Sequence, residues 1–135
     1  MSRVLSLNHV SILVADTGRA LTFYRDILGL AVDDNRPEMD FGGAWLRVGA
    51  QQLHLIELAT PLPADGSAGH GGRDRHFALW VTGLEAFAAR LEAGGIETSW
   101  SRSGRRALFC RDPDGNAVEL IEVAGDRPDA SPGKE

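Results

Sequence analysis

The chain has a single cysteine, Cys110, so no disulfide can form within it, and the expected setting is a reducing cytoplasm. No apolar run approaches the ~20 residues a membrane span requires. The opening MSRVLSLNHV lacks the hydrophobic stretch and cleavage site of a secretory signal. Basic charge is scarce, with 14 Lys and Arg against 19 Asp and Glu, a net charge of −5. Nucleic acid is therefore not an expected partner, since phosphate binding draws on a basic surface. There is no Gly-rich phosphate loop, no CxxC pair and no Ser-His-Asp order. What is present is a composition of 43% hydrophobic and 24% charged residues over 135 positions, enough for one domain with a real core. The expectation is a cytoplasmic protein acting on a small molecule, with no membrane partner.

Two helices stand out by periodicity. After Asp16, TGRALTFYRDILG places Ala20, Leu21, Tyr24, Ile27 and Leu28 on one face, with Gly29 as a stop. Later, TGLEAFAARLEAGG places Leu84, Phe87, Ala88 and Leu91 at helical spacing. Thr82 with Glu85 reads there as a capping box, and Gly94-Gly95 ends the helix. Each helix follows a strand pattern, HVSILV and HFALWV respectively, and precedes three more. These are Leu30–Val32, AWLRVG and QLHLIEL in the first half, and Ile96–Trp100, ALFCRD and AVELIEV in the second.

The order strand, helix, strand, strand, strand thus occurs twice. Superposing the halves sets His9 on His76 at an offset of 67 residues, and His54 on Glu119 at an offset of 65. The division expected is one βαβββ module over residues 1–60, a Gly- and Pro-rich connector over 61–72, a second module over 73–124, and a flexible tail over 125–135.

Side chains on a strand alternate between faces. Val10, Ile12 and Val14 share one face of the first strand, and Phe77, Leu79 and Val81 share the matching face of its repeat. Leu53, Leu55, Val118 and Leu120 complete apolar faces that should back onto the helices. The opposite faces carry His9, His54, His76 and Glu119 at matching registers. A pseudo-twofold arrangement of the modules would bring these four to one concave surface. Three imidazoles and a carboxylate suit a divalent transition ion such as Zn, Ni, Co, Mn or Fe(II). Glu57 shares a strand with His54 but lies on the other face, so His54 is the preferred ligand. Ser11 and Trp80 point to the His9 and His76 side.

The segments NHVSILVADTGRALTFYRDILGL, DRHFALWV and LFCRDPDGNAVELIE together resemble the vicinal oxygen chelate superfamily, which includes glyoxalase I, bleomycin-binding proteins, fosfomycin-resistance transferases and extradiol dioxygenases. The likeness spans about Leu7 to Ala124. It implies an α+β fold in which two βαβββ modules form a curled mixed sheet around a metal cavity. It also implies a homodimer whose sites are shared between subunits. The positions matching the family's metal ligands are His9, His54, His76 and Glu119. Glyoxalase I enzymes usually carry glutamate or glutamine where this chain has His54, a departure from that pattern. The resemblance favours a metal-dependent isomerase or lyase acting on vicinal oxygens, with Glu119 as general base. Its alternatives are an extradiol-type dioxygenase and an antibiotic-resistance protein working by capture or thiol transfer.

Substrate contacts are expected from Ser11, Trp80 and Phe109, and from Arg105 or Arg106 within the arginine-rich SRSGRRALFCRD, whose guanidinium groups can clamp a carboxylate or phosphate. Asp112-Pro113-Asp114-Gly115 reads as a turn, His70 as a loop residue without a repeat partner, and Cys110 as a small packing side chain.

Overall fold

The computed structural model describes residues 1–59 and 69–124. Most of the expected connector, and the whole of the expected tail, lie outside the described residues. Within them, β1 (His9–Val14), α1 (Thr17–Leu21), β2 (Ala31–Val32), β3 (Gly43–Val48) and β4 (Gln51–Glu57) form the first module. The second comprises β5 (His76–Val81), α2 (Leu84–Ala93), β6 (Ser99–Trp100), β7 (Ala107–Arg111) and β8 (Ala117–Glu122). A 3₁₀ turn, Gly71–Arg73, leads into β5.

Each module builds one four-stranded sheet, in the orders β1-β4-β3-β2 and β5-β8-β7-β6. The first and last strands pair in parallel and the others antiparallel. The internal repeat holds at the level of single residues. Ser11 lies beside His54 as Ala78 lies beside Glu119, and His9 lies beside Gln52 as His76 lies beside Ala117.

The expected curled sheet around a cavity does not form. The two sheets are separate and open, and no strand of one pairs with a strand of the other. The reason is the shared core. Val14, Leu46, Leu53 and Leu55 from the first sheet join Leu108, Val118 and Leu120 from the second, with Ala20, Phe23, Leu84 and Leu91 from the helical segments. Both apolar faces turn inward to that cluster, so the faces bearing His9, His54, His76 and Glu119 turn away from it.

Two local expectations are also corrected. The first helix is α-helical only to Leu21; Thr22–Ile27 wind as a π-helix, with the Leu28 amide bonded to the Phe23 carbonyl at 2.9 Å. Phe23 is buried in the core beside Tyr24, and Leu21 and Ile27 pack against the edge of that core as expected. The capping box at Thr82 is absent. Gly83, at φ 71°, precedes α2, and the Leu84 amide donates instead to Glu122 Oε1 at 3.1 Å.

The modules are tied by the turn after β7. Asp112 is 5% exposed and accepts from the Tyr24 hydroxyl at 2.8 Å, from both Asn116 nitrogens and from the Asp114 amide. Asn116 Nδ2 also donates to the Leu13 carbonyl, while Asp114 receives the Ala15 amide and the Arg19 guanidinium. Asp112-Pro113-Asp114-Gly115 is thus a turn, as read, and in addition a clasp between the modules. Cys110 is buried beneath it, and burial pushes its thiol up to about 12.

Candidate metal centre

The four expected ligands gather as two pairs, one on each sheet. In the first module the His9 and His54 rings stack at 4.0 Å between centroids, 15° from parallel. Trp45, paired with His54 across β3 and β4, covers the other side of the His54 ring at 4.2 Å. His54 Nε2 lies 2.9 Å from Gln52 Oε1, and His9 Nδ1 lies 2.7 Å from Asn8 Oδ1. Burial first, then the neighbouring His9 and Arg36, hold the His54 imidazole below its ordinary pKa, which favours the neutral ring a metal requires. Ser11 occupies the adjacent β1 position on the same face.

In the second module His76 Nε2 stands 3.2 Å from Glu119 Oε1, and Arg105 reaches Glu119 Oε2 at 3.3 Å. The Glu119 side chain is only 3% exposed, while Arg105 is largely in solvent. His76 Nδ1 lies 2.9 Å from the Asp74 carbonyl, an acceptor, so Nδ1 carries the hydrogen. A neutral His76 then turns the Nε2 lone pair toward a carboxylate oxygen, and only a proton or a cation between the two relieves that opposition. A histidine whose far nitrogen donates to a backbone carbonyl is the arrangement found around protein-bound metals. This donor set fits a divalent transition ion.

Among the described residues, no three His, Cys, Asp or Glu side chains come together as a group able to hold a metal. Among the described residues the chain therefore presents two separated pairs, His9 with His54 and His76 with Glu119.

The remaining expected site residues divide clearly. Phe109 packs opposite Glu119 in the β7–β8 ladder, with its ring 5.2 Å from His76 and 4.6 Å from His70. Trp80 is half-exposed on β5. Arg106 points to the other side of the sheet, where it binds Glu122 at 2.8 Å and Glu85 at 2.7 Å beside the start of α2. Arg111 is held by Asp74, Gly69 and Gly115. Glu57 lies on the helix side of its sheet, accepting from the Thr17 amide and hydroxyl, both at 2.8 Å. Its repeat partner Glu122 receives the Leu84 amide, so both carboxylates tie down helix starts.

Three features escaped the sequence reading. Trp45 was detectable, because the repeat that sets His54 on Glu119 also sets Trp45 on Phe109. Gln52, and behind it Asp33, carried no such signal, since Gln52 matches Ala117. His70, read as a loop residue, bonds Ser99 Oγ through Nδ1 at 2.6 Å and borders a cleft of about 400 Å³ beside Phe109. Gly71 makes that seating possible, for a Cβ there would stand 2.9 Å from the Ala117 Cβ.

Paired βαβββ modules, each with a polar face at equivalent registers, define an α+β class of repeated-module proteins. The sequence matches the Glyoxalase/Bleomycin resistance protein/Dioxygenase superfamily over residues 6–120, and the chain belongs to that superfamily. It is 30% identical over 128 residues to Glyoxylase I 4 of Arabidopsis thaliana, covering 85% of this chain and 69% of that protein. It is 28% identical over 142 residues to a manganese-dependent 2,3-dihydroxybiphenyl 1,2-dioxygenase of Geobacillus genomosp. 3, covering 98% of this chain but 41% of that one. Its fold matches TnmS3, an antibiotic binding protein from Streptomyces sp. CB03234, with a TM-score of 0.70 at 19% identity, over 92% of this chain and all of that one. The fold thus serves enzymes and a binding protein alike, and function must be argued from the site.

Proposed function

We propose that the protein is a metal-dependent, glyoxalase-like isomerase or lyase acting on a small substrate with vicinal oxygens. The observation that carries this reading is the His76–Glu119 pair, oriented by Asp74 and repeated in register by His9 and His54. His9, His54, His76 and Glu119 would hold one divalent ion of the Zn, Ni, Co, Mn or Fe(II) type. When bound, such an ion supplies a Lewis acid for two adjacent substrate oxygens and for the oxyanion that develops on them.

Because each protomer carries two separate pairs, the proposal includes a homodimer in which His9 and His54 of one protomer face His76 and Glu119 of its partner. Glu119 serves as the base, taking a proton from one carbon and returning it to its neighbour. Its enclosure by Phe109, His76 and Arg105 keeps the carboxylate aimed and limits water. Arg105, anchored only at its tip, is free to exchange Glu119 for an anionic substrate group. Ser11, Trp80 and Phe109 line the approach.

The test is elemental analysis of protein purified without added metal, then reconstitution against α-ketoaldehyde hemithioacetals, catechols, and fosfomycin with thiol. Hemithioacetal turnover without oxygen uptake supports the proposal. Catechol cleavage with oxygen consumption favours dioxygenase chemistry, the reading that the match to the Geobacillus enzyme supports. Stoichiometric fosfomycin–thiol adduct formation replaces it with a resistance function.

A further inference from the structure

We infer that Asp33 and Gln52 form a hydrogen-bonded relay that fixes the tautomer of His54 and presents Nδ1, not Nε2, as its donor atom. The donor role rests on the proposed function above; the tautomer does not. The relay is read from hydrogen-bond direction. Asp33 Oδ1 accepts the Asn35 amide at 3.0 Å, and Oδ2 lies 2.8 Å from the Gln52 side-chain nitrogen. An ionised carboxylate only accepts, so the amide must turn its NH₂ to Asp33 and its oxygen to His54. That oxygen, 2.9 Å from His54 Nε2, can only accept in turn, so Nε2 carries the hydrogen and Nδ1 the lone pair.

The surroundings hold each member in place. Asp33 is 8% exposed, and its amide donates to the Trp45 carbonyl at 2.8 Å, continuing the β2–β3 pairing. Gln52 sits between His9 and Arg47 in the sheet. The His54 ring is clamped between His9 and Trp45, so it cannot swing to bring Nδ1 to Gln52 without breaking both stacks. The second module has no counterpart, because Gln52 matches Ala117. Its Glu119 sets a carboxyl directly on that face, whereas the first module keeps its carboxyl two hydrogen bonds back from the ring.

The experiment reads the tautomer in the metal-free protein by long-range proton–nitrogen NMR of ¹⁵N-labelled His54 in mildly alkaline buffer. A pyrrole-type Nε2 and a pyridine-type Nδ1 are expected. Gln52→Leu and Asp33→Asn should each mix the two forms. The paired exchange Asp33→Asn with Gln52→Glu keeps the polarity of the relay and should restore the single form, which a merely structural role would not require. Zinc titration should show affinity about 10- to 100-fold weaker in the two single variants and recovered in the paired one. A pyridine-type Nε2 in the unaltered protein overturns the relay, and zinc bound by that same protein leaves His54 as a ligand by its other nitrogen. The expected tautomer with no uptake of zinc, nickel, cobalt, manganese or iron overturns the proposed function and with it the donor role of Nδ1.

Discussion

Replacing Tyr24 by Phe deletes one atom, the hydroxyl oxygen that donates to Asp112 Oδ2 at 2.8 Å across the module boundary. Both groups are buried, and the phenyl ring can keep its place against Phe23. A hydrogen bond to a charged acceptor is worth about 1.5–3 kcal/mol, a neutral one about 0.5–1.5 kcal/mol. Asp112 retains its bonds from Asn116 and Asp114, so the loss is confined to this one donor. Burial dominates the Asp112 environment and raises its pKa above the ordinary carboxylate value. With the folded value above the unfolded one, Asp112's contribution is fully present below the unfolded pKa and is lost as pH rises through the folded value. The Tyr24 hydroxyl works against that burial and lowers the Asp112 pKa, so its loss should cost more at pH values where Asp112 is ionised than in acid. At about 4 °C per kcal/mol for a domain of this size, the melting temperature where Asp112 is ionised should fall by roughly 6–12 °C. Urea unfolding at several pH values measures this directly. A cost within about 0.5 kcal/mol of zero, the range of ordinary surface substitutions, or one that is equal in acid and where Asp112 is ionised, refutes the clasp.

Glu57→Ala should destabilise the fold by about 1 kcal/mol through loss of the acceptor at the start of α1, while leaving zinc uptake unchanged. His54→Ala should do the reverse, and paired thermal melts and zinc titrations separate the two. Gly71→Ala forces a Cβ to within 2.9 Å of Ala117 and 3.3 Å of Phe109. It should cost about 1–3 kcal/mol by overpacking, and the shift in chemical denaturation midpoint checks it. Cys110, buried and pushed up to about 12, should react with an aromatic disulfide reagent only after unfolding, on the timescale of loss of circular dichroism.

The strands and the repeat were legible because period-two alternation is a local property. HVSILV against HFALWV, and QLHLIEL against AVELIEV, reappear as β1, β5, β4 and β8 with matching registers. The choice of His54 over Glu57 followed from the same parity, which placed Glu57 on the helix side. What the sequence hid depends on how elements meet. Whether two sheets curl into one cavity or stay open is set by which faces find each other across a core, and alternation is the same in both cases. The π-helix at Thr22–Ile27 was hidden because an apolar stripe reads alike under slightly different windings. Asp33 lies outside the repeated strands and Gln52 matches an alanine, and their relation to His54 exists only once β2, β3 and β4 are paired.

The central claim is that two half-sites, His9 with His54 and His76 with Glu119, close on one ion across a dimer. It is tested most directly by mixing His9→Ala chains with His76→Ala chains and counting bound zinc. Each parent homodimer should bind none tightly, and the mixed dimer should recover one ion per two chains, because one of its two sites then joins an intact first module to an intact second module. Zinc that stays absent from an isolated, properly assembled mixed dimer, while the unaltered dimer binds two, contradicts the account.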